Sequence, residues 1–258
     1  MKNLDLFADE LIKAQESVYG IAPLTDREPS LSVEEAYSIQ ISNINKKIDA
    51  GRRIVGKKIG LTSLGMMRLL GVNEPDYGVL LDDMIVSNGG SINACDMISP
   101  KVECEIAFVL KDDLAGKDIK VSDVINATSY ITPALEIVDS RVADWKIKLP
   151  DTIADNASSG RFVISESAFD LKDYNLKTTG MYLEKNDVLC NSATGVEVMG
   201  NPVISVAWLA NKLNEFGMPL RAGEIILSGA FAAAIEAKRG DVFRASFNDM
   251  GTVCVSFV

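Results

Sequence analysis

The segment Glu103-Cys104-Glu105 opens directly into the apolar run Ile106-Ala107-Phe108-Val109-Leu110. Such a run reads as a buried strand, and strand side chains alternate between faces. Glu103 and Glu105 therefore point one way and Cys104 the other. The two carboxylates lie roughly 6–7 Å apart along the strand. At an effective dielectric near 20 they repel by about 2–3 kcal/mol. A hard divalent cation between them removes that conflict. An edge strand with both glutamates in water removes it too, and the local pattern leaves the two readings open. The chain has no histidine, so a metal here takes mainly oxygen ligands, which favours Mg2+ or Mn2+ over Zn2+.

The missing histidine also removes Ser-His-Asp and Cys-His catalysis and imidazole as a proton shuttle. Acid–base chemistry near neutral pH then falls to a tuned carboxylate or lysine, or to metal-bound water. A net charge of −10 argues against nucleic acid and against an anionic membrane surface. The N-terminal residues lack the apolar core of a signal peptide, and no apolar run reaches transmembrane length. Cys95, Cys104, Cys190 and Cys254 have no Cys-x-x-Cys spacing and read as buried small hydrophobes in a reducing compartment. A cytoplasmic protein is expected.

Residues 4–17 have helical apolar spacing. Ser32 and Glu35 form a capping box for a second helix, with Gly51 as its stop. Arg53 to Leu61 reads as a strand, and a short helix is expected through Met66, Met67, Leu69 and Leu70. Further strands are predicted over 102–110, 130–138, 161–165, 178–184, 224–228, 241–247 and 252–258, and helices near 121–128 and 204–216. The pattern is α+β: a mainly helical N-terminal region, 1–70, followed by a β-rich body, 71–258. No Gly-rich phosphate loop follows a strand, which argues against nucleotide binding.

Four segments then line up: Gly56-Lys57-Lys58-Ile59-Gly60-Leu61-Thr62, Glu74-Pro75-Asp76-Tyr77-Gly78, Pro100-Lys101-Val102-Glu103-Cys104-Glu105, and a stretch from Pro133-Ala134-Leu135-Glu136 through Asp139-Ser140-Arg141 to Asp155-Asn156-Ala157-Ser158. In this order and spacing they resemble the hydratase/decarboxylase branch of the fumarylacetoacetate hydrolase superfamily, over nearly the whole chain. The resemblance implies a mixed β-sandwich roll and a lyase that hydrates 2-hydroxy-2,4-dienoates in aromatic meta-cleavage degradation. It implies a divalent metal held by Glu103, Glu105 and Glu136, with Lys58 moving protons and Asp76 activating water. Thr62, Asn156, Ser158 and Ser228 are the expected substrate contacts. Homo-oligomers, and association with a decarboxylase or aldolase of the same pathway, are implied as well. The alternatives are decarboxylation of a 4-oxalocrotonate-type 2-oxo acid, or a non-catalytic partner subunit of such an enzyme.

The residues carry plainer readings beside these. Glu136 lies in an apolar stretch where a charge needs a partner, and an ion pair with Arg141 or a lysine would also satisfy it. Lys58 sits between Gly56 and Gly60, which allow close approach of a ligand, and burial with a nearby cation would lower its pKa. It could instead merely neutralise the glutamates. Lys57, on the other face, is expected in solvent. Pro75-Asp76 is good turn chemistry, and Asn156 and Ser158 are common loop residues. Asp139 and Arg141 read as a structural pair. Three departures from the family pattern stand out: Ser159 replaces a frequent cysteine, Asn201 a frequent histidine, and the loop Asn191 to Gly200 is poorer in glycine than usual.

Overall fold

A computed structural model describes residues 3–63, 65, 67, 68 and 71–258. The helices are α1 (Leu4–Ser17), α2 (Leu24–Arg27), α3 (Val33–Asp49), α4 (Val121–Ala127), α5 (Leu149–Ala154) and α6 (Pro202–Glu215). The strands are β1 (Ile54–Gly60), β2 (Asp76–Leu81), β3 (Ile85–Val86), β4 (Ser91–Ile92), β5 (Lys101–Leu110), β6 (Thr128–Val138), β7 (Ser159–Ile164), β8 (Gly180–Lys185), β9 (Val188–Thr194), β10 (Ile225–Leu227), β11 (Ile235–Glu236), β12 (Val242–Phe247) and β13 (Gly251–Phe257). The expected α+β architecture is therefore present.

β5 organises the larger sheet, whose order is β2-β1-β10-β5-β6-β7-β3, with β11 added at the start of β5. The second sheet runs β4-β13-β12-β8-β9. The alternation in β5 divides the molecule as the sequence predicts. Val102, Cys104, Ile106 and Phe108 enter one apolar cluster with Met181, Leu183, Phe243, Phe247, Val255 and Phe257 of the second sheet. That interface is dry, and α6 joins it through Val203, Val206, Leu209 and Leu213. Ala107 on the opposite face joins a separate cluster with Leu80, Ala134, Phe162 and Leu227. Sliding β5 by one residue would drive its glutamates into the dry interface, so burial fixes the register.

The larger sheet curls. β3 follows β2 after one turn of 3-10 helix, yet it pairs with β7 at the far end of the strand order. Asn156 closes the gap: its amide donates to Val79 O at 2.9 Å and its Oδ1 accepts from Val79 N at 2.8 Å. The glutamate face is thus the inside of the curl. A helical layer of α1, α2, α3 and α5 adjoins it, held by Leu11, Leu24, Ile39 and Ile153. The Ser32–Glu35 capping box is formed, with bonds of 2.9 and 3.2 Å.

Several expectations are corrected. β2 was not expected; all six of its residues are buried, so it has no two-residue period to read. β9 is an exposed edge strand, and α5 had no visible apolar stripe. α6 starts at Pro202, capped by Asn201, whose side chain accepts from Val203 N. The helix expected through Met66, Leu69 and Leu70 falls largely outside the described residues. Cys104 alone among the cysteines is buried; Cys95 and Cys190 are exposed. Lys57 is not in solvent but in a largely buried ion pair with Glu224 at 2.6 Å. β1 lies between β2 and β10, so the N-terminal region contributes a strand to the sheet. Among the described residues no helix is long and apolar enough to cross a membrane.

Candidate active site

The strand registers bring the acidic segments together. Glu103 lies directly opposite Glu136 across the β5–β6 pair, and Glu105 lies opposite Ala134. All three glutamates share one face, and one carboxylate oxygen from each lies within 4.8 Å of the others. Glu105 and Glu136 are fully buried, and Glu103 partly so. Glu105 Oε2 accepts from Gly229 N at 2.7 Å. Glu105 Oε1 and both Glu136 oxygens have no hydrogen-bond partner.

Such a cluster is unfavourable by itself. Burial, Glu136 and further neighbours push the Glu103 carboxyl up to about 7. Burial followed by Glu136 and Glu103 pushes Glu105 well above its usual range. Buried carboxylate oxygens that accept no hydrogen bond are what a hard cation needs. Three carboxylates leave coordination positions for water or substrate, so the donor set fits an open divalent site.

Lys58 and Asp76 complete the site. β1 pairs with β2 so that Gly60 lies opposite Asp76 and Lys58 opposite Gly78. A Cβ on Gly60 would come within 2.1 Å of Asp76 Oδ1 and 3.4 Å of Lys58 Nζ. Gly60 is therefore needed because those two side chains meet above it. Gly56 has a different reason: a Cβ there would lie 1.9 Å from Ile225 O on the neighbouring strand. Lys58 Nζ is 3.3 Å from Glu136 Oε1, which is the lysine pairing that the sequence left open. Burial acts to lower the Lys58 pKa, but Glu136, Asp76, Glu103 and Glu105 outweigh it, and the ammonium is held above its ordinary value. The expected lowering is thus reversed by the carboxylates around it. Asp76 is pushed up by burial, against the pull of Lys58, and its Oδ1 has no partner.

The expected substrate contacts divide into two groups. Ser228 is fully buried with an unpartnered Oγ. Its neighbour Gly229, at φ +112°, steers Glu105 and abuts Thr62, whose Oγ1 a Cβ there would meet at 2.4 Å. Both residues border the site. Asn156 and Ser158 are engaged elsewhere. The Asn156 amide is committed to Val79, and Ser158 Oγ approaches Asp155 Oδ2 at 3.4 Å and Thr152 Oγ1 at 3.4 Å. The Asp139–Arg141 pair is also corrected: Arg141 pairs with Asp155, while the Asp139 carboxylate accepts from Ile98 N and Ser99 N.

The model of the fumarylacetoacetate (FAA) hydrolase C-terminal family matches residues 71–258. The chain belongs to the fumarylacetoacetate hydrolase family. Within that family it is 44% identical over 250 residues to 2-keto-4-pentenoate hydratase of Paraburkholderia xenovorans, covering 97% of this chain and 93% of the relative. It is equally 44% identical to 2-hydroxyhexa-2,4-dienoate hydratase of Comamonas testosteroni, covering 96% and 94% of the two chains. A solved structure of 4-oxalocrotonate decarboxylase from Pseudomonas putida G7, complexed with magnesium and adipate, superposes with a TM-score of 0.96 at 35% identity, covering 99% of this chain and 97% of the other.

Proposed function

We propose that this protein is a hydro-lyase that converts 2-hydroxy-2,4-dienoates, 2-hydroxypenta-2,4-dienoate among them, into 4-hydroxy-2-oxoalkanoates. The observation that carries the reading is the convergence of Glu103, Glu105 and Glu136, with buried oxygens left unpartnered, beside Lys58 and Asp76. The hydratase names of relatives at 44% identity support the reaction type.

Glu103, Glu105 and Glu136 would hold Mg2+ or Mn2+. When bound, the ion supplies Lewis-acid stabilisation of negative charge on the C2 oxygen. Lys58 delivers a proton to C5 and takes up the proton of the C2 hydroxyl as the enol ketonises, giving a 2-oxo-3-enoate. Water then adds at C4. Asp76 takes one of its protons, and its raised pKa brings it nearer to the working range of a general base. Asp76 passes that proton on to C3, which completes the addition. Thr62 and Ser228 border the substrate.

Decarboxylation of a 2-oxo-3-ene dioate is the second reading, and the 4-oxalocrotonate decarboxylase likeness favours it. It needs no group to activate water, whereas Asp76 is buried at the site with a free oxygen. A homo-oligomer in the cytoplasm, associating with a decarboxylase or aldolase of an aromatic catabolic route, belongs to the same proposal. The exposed apolar side chains of Val188 and Leu189 on edge strand β9 support an assembly.

The test is to follow dienoate absorbance with Mg2+ and after chelation, and to identify the product by NMR. Metal-dependent loss of absorbance with formation of the 4-hydroxy-2-oxo acid is expected. Release of CO2 from 4-oxalocrotonate with no hydration would overturn the assignment.

A further inference from the structure

Among the described residues, the buried side-chain polar atoms without a hydrogen-bond partner are Asn43 Oδ1 on α3 and atoms of Asp76, Glu105, Glu136, Ser159 and Ser228. Four of these residues have roles in the reading above. Ser159 has none.

Strand register alone separates Ser159 from the catalytic lysine. It lies opposite Val138 at the start of β7, while Lys58 is on β1. The curl of the sheet removes that separation. A Cβ on Gly78 would lie 2.9 Å from Ser159 Oγ, and Gly78 is the residue directly across from Lys58. Facing side chains on paired strands start about 4.5–5.5 Å apart. Gly78 is also two residues along the same face from Asp76. Ser159 Oγ therefore packs against Gly78 of the strand that carries the proposed base, on the face that Asp76 and Lys58 share.

The backbone holds it there firmly. Asn156, Ala157 and Ser158 are all left-handed, with φ of 55°, 50° and 55°, and each non-glycine residue in that region costs about 1–2 kcal/mol. Arg141 Nη1 donates to Ser159 O at 2.9 Å, and Asp139 N donates to Ser158 O at 2.8 Å. The main chain is thus pinned on both sides of a hydroxyl that is left unsatisfied. Burying a hydroxyl without a partner costs about 1–3 kcal/mol, which a scaffold position has no reason to bear.

We propose that Ser159 Oγ holds the oxygen that becomes the C4 hydroxyl of the product. One hydrogen of the attacking water goes to Asp76. The other is accepted by Ser159 Oγ, which leaves the oxygen lone pair aimed at C4. That second hydrogen remains on the C4 hydroxyl and keeps its bond to Ser159. The proposal rests on the hydration reading.

The test compares wild type with Ser159→Ala, each loaded with Mg2+. Turnover of dienoate is measured, together with the affinity for two stable acids, 4-hydroxy-2-oxopentanoate and 2-oxopentanoate. These differ only in the C4 oxygen. The expected result is a fall in kcat of about tenfold or more and a roughly tenfold loss of affinity for the hydroxy acid, equivalent to about 1.4 kcal/mol. Affinity for 2-oxopentanoate is expected to be unchanged. An unchanged kcat, or equal weakening of both acids, overturns the role. If Ser159→Ala does not fold, Ser159→Gly removes the same oxygen and is expected to give the same selective loss. A wild-type protein that consumes no dienoate overturns the hydration reading instead, and the two binding measurements then still judge the contact made by Ser159.

Discussion

Two buried ion pairs lie at the same end of the curled sheet, and they differ in what is left over. In the first, Arg141 donates to the Asp155 carboxylate, to Asp155 O, to Asp139 O and to Ser159 O, while Asp155 Oδ2 also accepts from Arg141 N and Ser140 Oγ. In the second, Lys58 faces Glu136, yet both Glu136 oxygens and one oxygen each of Glu105 and Asp76 lack hydrogen bonds. A saturated network holds loops in place. An unsaturated one, equally buried, retains binding capacity for a ligand. Burial of charge is thus a poor guide to function by itself; unused acceptors on buried charge are a better one.

Substitutions can break that contrast from either side. Glu105→Gln should lower metal-dependent kcat/KM by roughly 10,000-fold, about 5.5 kcal/mol. In the absence of metal its melting temperature should hold or rise, because a buried like charge is removed. Steady-state kinetics and thermal unfolding check both halves. Asp155→Ala should do the reverse. It leaves Arg141 buried and unpaired, at a cost of about 3–5 kcal/mol in urea unfolding, while the protein that folds still binds metal.

A smaller effect separates the proposed water-activating group from the proposed metal ligands. Asp76→Asn should slow hydration about 100-fold with metal affinity nearly unchanged, as calorimetry alongside the rate assay would reveal. The smallest effect concerns pH. Glu103 is pushed up to about 7 from 4.5, and a ligating carboxylate must be ionised. Metal affinity should therefore fall by about tenfold or more per pH unit below 7, about 1.4 kcal/mol for each proton displaced. A carboxyl whose folded pKa is raised binds its proton more tightly when folded. The metal-free fold thus loses stability as pH rises from 4.5 through about 7. Added Mg2+ should stabilise most at the alkaline end of that window, as melting curves across pH would register.

Much of this site was legible in local pattern. The period of two in β5 puts Glu103 and Glu105 on one face and Cys104 in the dry interface, because a strand has only two faces to offer. The ordered motifs added Glu136, Lys58 and Asp76. What local pattern could not carry was distance in sequence. Asn156 looks like a loop residue until β2, nearly eighty positions earlier, presents the free backbone of Val79. Ser159 looks remote from Lys58 until the sheet curls. Gly60 reads in sequence as room for a ligand, whereas it makes room for Asp76. Lys57 reads as solvated in sequence because its partner, Glu224, lies far along the chain.

The central claim is that Glu103, Glu105 and Glu136 together hold one divalent ion. Isothermal titration of Mg2+ into the wild-type protein and into Glu105→Gln tests it most directly. One ion per chain is expected for the wild type, with an affinity lowered by about 100-fold or more, roughly 2.7 kcal/mol, in the variant. Equal affinity and stoichiometry in the two proteins, or no binding by the wild type, would contradict it.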